Sequence, residues 1–424
     1  MPLSLHKSVR SVPIALALAI GIPFSNAAAN DQVPKVRVES VRRIFHNGEH
    51  NAFTDLCRFK GRYYLAFRSC PDGHGVHPTS SIIVLVSDDT KTWKQAHRFR
   101  VPQRDVRDPH FLIFKGKLFV YTGTWYCGKS APKRRDMNEH LGYAVWTADG
   151  RKWQGPTMLE GTYGHYVWRA ATFGSKAYLC ARRKRGFART RTRVERDRLV
   201  ESAMLESDDG LVWKKVGLFQ ERYGNETAFQ FDKDGQVLAI ARSGGGRNAQ
   251  ICRSKPPYVK WTRKNLDRYI GGPLLATWGN RHLVGGRQIV KGKAVTSLYW
   301  LVKDRLHEFA RLPSGGDTSY PGFLELGPKR AIVSYYSSHE RDSQGKTMTA
   351  IYLARLVVAD SALKKSGNEK VSAFPAVIVS SPPITTRATT TPHSSWRPLT
   401  GMSRSPKSTQ PTRMTCAIWR GIRE

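Results

Sequence analysis

The residues of this 424-residue chain that could do chemistry stand at the openings and ends of short apolar runs. Arg107, Asp108, Arg169, Glu226 and Tyr320 open such runs, Asp55 lies early in another, and Arg242 and Arg287 close two more. A carboxyl group works as acid or base according to its surroundings, and the planar guanidinium fork binds both oxygens of a carboxylate. If the runs are strands converging on one centre, these groups meet around an acidic ligand. The plainer alternatives are equally concrete. Glu226 and Tyr320 would bond neighbouring backbone, Arg242 and Arg287 would pair with local carboxylates, and Asp72, in a Gly/His/Pro loop, would make a turn. His74, His77 and His110 match no standard zinc spacing, so neither a metal nor a cofactor is expected. Trp125, Tyr126, Tyr166 and Trp168 are candidates for stacking on sugar faces or for the core.

Internal repeats supply the elements that must position these groups. Ser87 to Trp93, Thr147 to Trp153 and Ser207 to Trp213 are three copies of one motif, with starts 60 residues apart, and Ser254 to Trp261 is a degenerate fourth. Ser/Thr and Asp bond the backbone, Gly takes a positive φ, and Trp plugs the space behind: a capped turn. A second repeat interleaves with it, a strand, a tight turn and another strand. Its turns fall at Lys60-Gly61, Lys115-Gly116, Gly174-Ser175, Asp234-Gly235, Gly279-Asn280 and Gly327-Pro328. Six hairpins at intervals of roughly 45–60 residues are the spacing of four-stranded propeller blades. The fold expected is all-β, a six-bladed β-propeller over residues 36–358, each hairpin giving a blade's inner strands and the capped turn joining the outer ones. A β-sandwich would not require one capped turn at equal spacing. Arg182 to Arg198, almost entirely basic with polar spacers, falls inside the third blade and is expected to be a surface loop.

The flanks read differently. Residues 1–29 have a basic start, an apolar run from Val12 to Phe24 and Ala27-Ala28-Ala29, the pattern of a secretory signal, so a secreted or periplasmic protein is expected. The apolar run is too short to span a bilayer, and no later segment is long and apolar enough. From 361 to 424 the chain is rich in Ser, Thr and Pro and reads as a disordered tail. None of the six cysteines sits in a CxxC pair, and most are expected as buried small hydrophobes. With 69 Lys+Arg against 33 Asp+Glu, the net charge of +36 favours anionic partners. For an exported propeller, an acidic glycan or polysaccharide ranks ahead of nucleic acid, which is not expected; nor is an oligomer.

The capped turns are Asp boxes, and the chain resembles the sialidases and other bacterial-neuraminidase-repeat proteins exported by bacteria. The stretches His50 to Asp55, Arg107-Asp108-Pro109, Asn225-Glu226-Thr227, Ser254 to Tyr258, Gly271-Gly272-Pro273 and Ser314 to Pro321 carry the resemblance, which covers about residues 40–358. It implies an exo-α-sialidase-like glycoside hydrolase removing terminal acidic sugars. Tyr320 would be the nucleophile, Glu226 its general base and Asp72 the acid/base, with Arg242 and Arg287 clamping the substrate carboxylate. A neutral Tyr activated by Glu suits a substrate whose own carboxylate would repel a carboxylate nucleophile.

One departure matters. Sialidases open their first blade with an Arg followed by Ile-Pro; here Phe53-Thr54-Asp55 stands in that place. Arg68, Arg107 or Arg169 would have to supply the third fork, and Asp55 would serve as an acid or a sugar-hydroxyl partner. Two rivals follow. One is a non-catalytic propeller binding glycan on a basic face. The other is a propeller glycosidase or lyase on another acidic polysaccharide, with Asp55 or Asp108 as its catalytic carboxylate.

Overall fold

Tight turns fold each hairpin back on itself. At Lys60-Gly61 both φ values are positive, 47° and 81°, and at Lys115-Gly116 they are 47° and 72°. This is the type I′ geometry whose twist matches paired strands. In the computed structural model, which describes residues 33–129 and 135–359, 24 strands form six antiparallel four-stranded sheets. The expected signal segment, the tail and Cys416 lie outside the described residues.

The sheets are the blades of a six-bladed β-propeller. Blade 1 runs His50–Phe59, Arg62–Cys70, Ser81–Ser87 and Lys94–Phe99. Blade 2 starts with Arg104–Phe114 and Lys117–Tyr126, blade 3 with Tyr166–Phe173 and Lys176–Lys184, blade 4 with Thr227–Phe231 and Val237–Ala241, and blade 5 with Gly271–Trp278 and Arg281–Val290. Blade 6 has Thr318–Gly327, Arg330–Arg341 and Thr347–Val358, and takes its outer strand from the other end of the ring. That strand, Val36–Phe45, pairs antiparallel with Thr347–Val358 from Val36 opposite Val358 to Phe45 opposite Ile351. The pairing ties the first described strand to the last and closes the circle, so blade 6 needs no capped turn.

The capped turns join the third and fourth strands of blades 1, 2 and 3 with one geometry. In each, Asp89, Asp149 or Asp209 Oδ1 accepts two backbone amides and a Ser/Thr hydroxyl, at 2.7–3.0 Å. These bonds hold the three carboxyls below the ordinary Asp range, for Asp209 against the upward push of burial. The degenerate fourth copy keeps the shape by other means. Tyr258 takes the positive φ, 67°, and its carbonyl accepts the Trp261 indole N–H at 2.8 Å. Tyrosines tie box to blade: Tyr121 Oη donates to Gly210 O at 3.0 Å. Buried apolar side chains fill the space between blades, Leu65, Phe67, Tyr178, Met204 and Tyr299 among them. Four of the five described cysteines are buried and all five are free.

The basic run differs from the loop expected of it. The second strand of blade 3 continues to Lys184, a 3₁₀ turn covers Arg185–Phe187, and a helix covers Arg193–Leu199, capped by Thr192 Oγ1 on the Glu195 amide at 3.1 Å. Local acids absorb much of the charge: Arg183 pairs with Glu201 and Lys184 with Asp136.

The box aspartates are thus structural. Asp209→Ala should lower the melting temperature by about 1–3 °C and leave ligand binding unchanged. Calorimetry beside a glycan-binding assay checks both; loss of binding at an unchanged melting temperature would contradict this assignment.

Candidate active site

Strands alternate in direction, so the openings of first strands, the ends of second strands and the connections from second to third strands share one face of the propeller. Near their openings, the first strands of blades 1, 2, 3, 5 and 6 carry register shifts: between Ala52 and Asp55, Arg107 and His110, Val167 and Ala170, Gly271 and Leu274, and Ser319 and Gly322. A bulge leaves residues unpaired and re-aims a side chain. The re-aimed residues are Phe53, Asp108, Trp168, Gly272 and Tyr320. Phe53, Asp108 and Tyr320 accept φ of 64°, 53° and 52°, a strained region for side chains of their size. Gly272 has φ of 57°, and a Cβ there would meet the Tyr320 ring at 2.7 Å, so only glycine fits.

Around the axis of this face, Tyr320 Oη donates to Glu226 Oε1 at 2.8 Å. Arg242 Nη1 reaches Glu226 Oε2 at 2.8 Å and Tyr320 Oη at 3.2 Å, and the Gly272 amide donates to Glu226 Oε2 at 3.2 Å. Arg182 Nη1 stands 3.9 Å from Glu226 Oε1. Glu226 and Tyr320 are buried, while the Arg182 and Arg242 side chains stay part-exposed above them. Burial pushes the Glu226 carboxyl up, but Arg242, Arg182 and the two hydrogen bonds outweigh it and hold it below the usual carboxylate range. Burial and the Glu226 charge raise the Tyr320 phenol well above its ordinary value. The pair is therefore a neutral phenol on an ionised base.

A second carboxyl has the opposite character. Asp108 Oδ2 accepts the Tyr166 hydroxyl, Asp108 Oδ1 is buried without a hydrogen-bond partner, and the Arg182 guanidinium lies 4.7 Å over the Tyr166 ring. Burial and the Glu226 charge raise the Asp108 pKa. One carboxyl is thus pushed down and its neighbour up, to about 6, the contrast that separates a base from an acid.

Arg287 flanks Tyr320 on the other side, its guanidinium 5.6 Å over the ring. It is engaged within the chain: Nη2 reaches Asp317 Oδ1 at 2.9 Å and Tyr336 Oη at 2.8 Å. Asp317 also accepts Tyr336 Oη at 2.8 Å and faces His50 Nε2 at 3.1 Å and His74 Nδ1 at 2.7 Å. Phe53 packs edge-on to Tyr320, Tyr336 and His74, with ring centroids 4.9, 5.4 and 5.7 Å apart.

Of the residues singled out from sequence, Tyr320, Glu226, Arg242 and Arg287 come together, with Asp108 near enough to feel the Glu226 charge. The others are placed elsewhere or already occupied. Arg68 and Arg107 both pair with buried Asp105, at 2.9 and 2.6 Å, and bond the carbonyls of Gly73, His74 and Gly75, so neither has a free fork. Asp55 and Arg169 sit deeper along the axis. Asp55 Oδ1 takes Arg169 at 3.2 Å and Oδ2 takes the Phe111 amide at 2.9 Å; Arg169 also caps Pro273 O and Pro321 O. They tie blades 1, 2, 3, 5 and 6 together, beside His110, which burial and Arg169 lower to about 4. A cavity of ≈ 240 Å³ opens against them. Asp72 lies on the exposed 71–80 loop and accepts the Thr79 hydroxyl. Sequence reasoning did not assign Arg182, hidden in the basic run, or Asp317 and His50, which lie inside stretches quoted for the resemblance. The larger cavity, ≈ 900 Å³, lies between blades 4 and 5 on the opposite face, beside Phe231, Pro256 and Leu301 and the degenerate capped turn, and none of Tyr320, Glu226, Asp108 or the arginines around them lines it.

No protein-family model and no curated protein matches the chain. Among solved structures it is similar to a protein of unknown function from Dyadobacter fermentans, with a TM-score of 0.64 and 22% identity over 77% of this chain and 100% of that one. It is similar to Trypanosoma rangeli sialidase in complex with the inhibitor DANA, with a TM-score of 0.54 and 13% identity over 75% of this chain and 58% of that one. It is also similar to phage phi92 endosialidase, with a TM-score of 0.55 and 9% identity over 79% and 71%. At these identities the likeness is one of fold, the six-bladed sialidase-like propeller. The chain spans a little over half the length of the trypanosome sialidase.

The structural and chemical groups separate experimentally. Arg169→Met leaves Asp55 buried without its ion-pair partner and should cost about 3–5 kcal/mol of stability in urea unfolding. Gly272→Ala places a Cβ 2.7 Å from the Tyr320 ring at a φ of 57°; it should cost about 1 kcal/mol or more and displace Tyr320, seen as loss of acidic-glycan binding by the still-folded variant.

Proposed function

We propose that the protein is a sialidase-like propeller glycosidase that removes terminal acidic sugars through Tyr320. The observation that carries this reading is the 2.8 Å hydrogen bond from Tyr320 Oη to Glu226, with Arg242 on both partners. Glu226 takes the phenol proton as Oη bonds to the anomeric carbon. The bond from that carbon to the glycosidic oxygen breaks, and the leaving oxygen takes a proton. Asp108 is the carboxyl whose surroundings raise its pKa, to about 6. It, rather than exposed Asp72, is the proposed acid. Water then attacks the glycosyl–tyrosine carbon as the bond from that carbon to Oη breaks; the water proton passes to the Asp108 carboxylate, and Glu226 returns its proton to the departing Tyr320 oxygen. Arg242, Arg182 and Arg287 give the pocket the positive charge that an acidic sugar needs. Export, suggested by residues 1–29 alone, would deliver the enzyme to such glycans, and no described helix is long and apolar enough to cross a membrane.

A second reading is favoured by Asp317, which occupies Arg287 as a substrate carboxylate would. Here the propeller cleaves a different acidic polysaccharide with Asp108 as its catalytic carboxylate. The full chain with 4-methylumbelliferyl α-sialoside separates the two. The first reading predicts release of the fluorophore, none from Tyr320→Phe, and a roughly 10²–10⁴-fold loss for Glu226→Gln. Asp108→Asn should damage cleavage of sialyllactose far more than cleavage of the aryl sialoside, whose leaving group needs little proton help. No release by the wild type, beside cleavage of another acidic polysaccharide that dies in Asp108→Asn, would establish the second reading.

The pH profile follows from the two shifts. Glu226 must be ionised and its pKa is depressed, so the acid limb should lie below the usual carboxylate range. Asp108 must be protonated to help the sialyllactose leaving group and its pKa is raised, so sialyllactose cleavage should fall on the alkaline side as Asp108 ionises, and that limb should vanish from the residual sialyllactose cleavage by Asp108→Asn. A profile unchanged by that substitution would remove Asp108 from the role.

A further inference from the structure

We propose that His50, His74 and Asp317 form a zinc site at the rim of the Tyr320 pocket. The three side chains come from separate parts of the chain and the same face. His50 opens the first strand of blade 1, His74 lies on the loop between its second and third strands, and Asp317 precedes the first strand of neighbouring blade 6. Their donor atoms, His50 Nε2, His74 Nδ1 and an Asp317 carboxylate oxygen, all lie within 4.8 Å of one another. The two nitrogens converge on one oxygen, Oδ2, at 3.1 and 2.7 Å. Bonds of 2.0–2.2 Å in tetrahedral zinc put neighbouring ligand atoms about 3.3 Å apart, so small rotations of these side chains bring all three into contact with one ion.

The surroundings fit the donor set. Two imidazoles and one carboxylate are a borderline-soft combination that suits zinc better than calcium or magnesium. The other carboxylate oxygen, Asp317 Oδ1, is held by Arg287 Nη2 and Tyr336 Oη, both donating, so the carboxylate is oriented with Oδ2 towards the histidines. Phe53 and Tyr336 wall the site against His74 and His50, with ring centroids 5.7 and 6.4 Å away. The His50 side chain is 11% exposed and that of His74 54%. The ion would therefore be held from inside and open to solvent outside, three protein ligands with a free fourth position.

The site does not depend on the glycosidase reading, though it bears on the same pocket. A divalent ion on Oδ2 would offset the Asp317 charge that now faces Arg287 and leave the rim more positive, favouring an anionic ligand.

Calorimetric titration of the chelator-treated full chain with ZnCl₂ tests the assignment. One Zn²⁺ per chain is expected, weakened more than about 100-fold by His74→Ala, since loss of a ligand should exceed the 10–100-fold cost of losing an outer partner. His74 is the half-exposed member, so this variant should keep the wild-type melting temperature. Asp317→Asn should abolish binding, and His77→Ala, on the same loop, should leave it intact. Co²⁺ should give visible d–d absorption in the wild type and not in His74→Ala. No binding by the folded wild type, or binding that survives His74→Ala and Asp317→Asn together, would overturn the site and leave the cluster a hydrogen-bonded anchor for Asp317. Neither result touches sialoside turnover by Tyr320, which is read separately.

Discussion

A carboxylate buried on the propeller axis must be answered from all sides, and Glu226 is. Its partners come from four consecutive blades: Arg182 from blade 3, Arg242 from the end of the blade 4 hairpin, the Gly272 amide from blade 5 and the Tyr320 hydroxyl from blade 6. An ionised group out of water costs several kcal/mol unless paired and hydrogen-bonded. Closing the ring in register is what brings these donors together, so the integrity of the site and of the fold are the same problem here. Arg169 plays a matching part deeper along the axis, where it joins Asp55 to the carbonyls of Pro273 and Pro321. The chain thus stacks two charged layers on one axis: a lower one in which Asp55 and Arg169 are paired within the protein, and an upper one whose arginines remain part-exposed.

What the sequence made legible was local. Capped turns and I′ hairpins are written within a few residues of one another, and their even spacing gave the six-bladed fold. Pairings that cross the ring were not legible. That Val36–Phe45 becomes the outer strand of the last blade depends on closure, which no neighbouring residue encodes. The same holds for the arginines. Arg68 and Arg107 open or close strands just as Arg242 does, but Asp105 lies between them and takes both, and no spacing rule shows which of several acids a guanidinium will choose. Arg182 was obscured differently: it begins a run so basic that a single residue turned inward does not stand out.

The bulged first strand of blade 1 sets Phe53 against Tyr320. Phe53, Asp108, Trp168, Gly272 and Tyr320 occupy equivalent places in the bulges of five blades. Phe53 stacks its edge on Tyr320 and shields one side of the nucleophile candidate, where an arginine would have charged it. Positive charge is gathered instead on the opposite flank, by Arg182 and Arg242, while Asp317 and its histidines balance Arg287. An acidic ligand would therefore be drawn to one side of the pocket rather than held symmetrically.

The central claim is that Glu226 activates Tyr320 as a nucleophile. The most direct measurement is peptide mass mapping after incubation of the full chain with 2,3-difluorosialic acid, which loses fluoride from the anomeric carbon as a covalent bond forms. The account predicts a glycosyl adduct on the peptide that contains Tyr320, absent from Tyr320→Phe and much slower to form in Glu226→Gln. An adduct on Asp108 or another carboxylate, or one that forms unchanged in Tyr320→Phe, would contradict it.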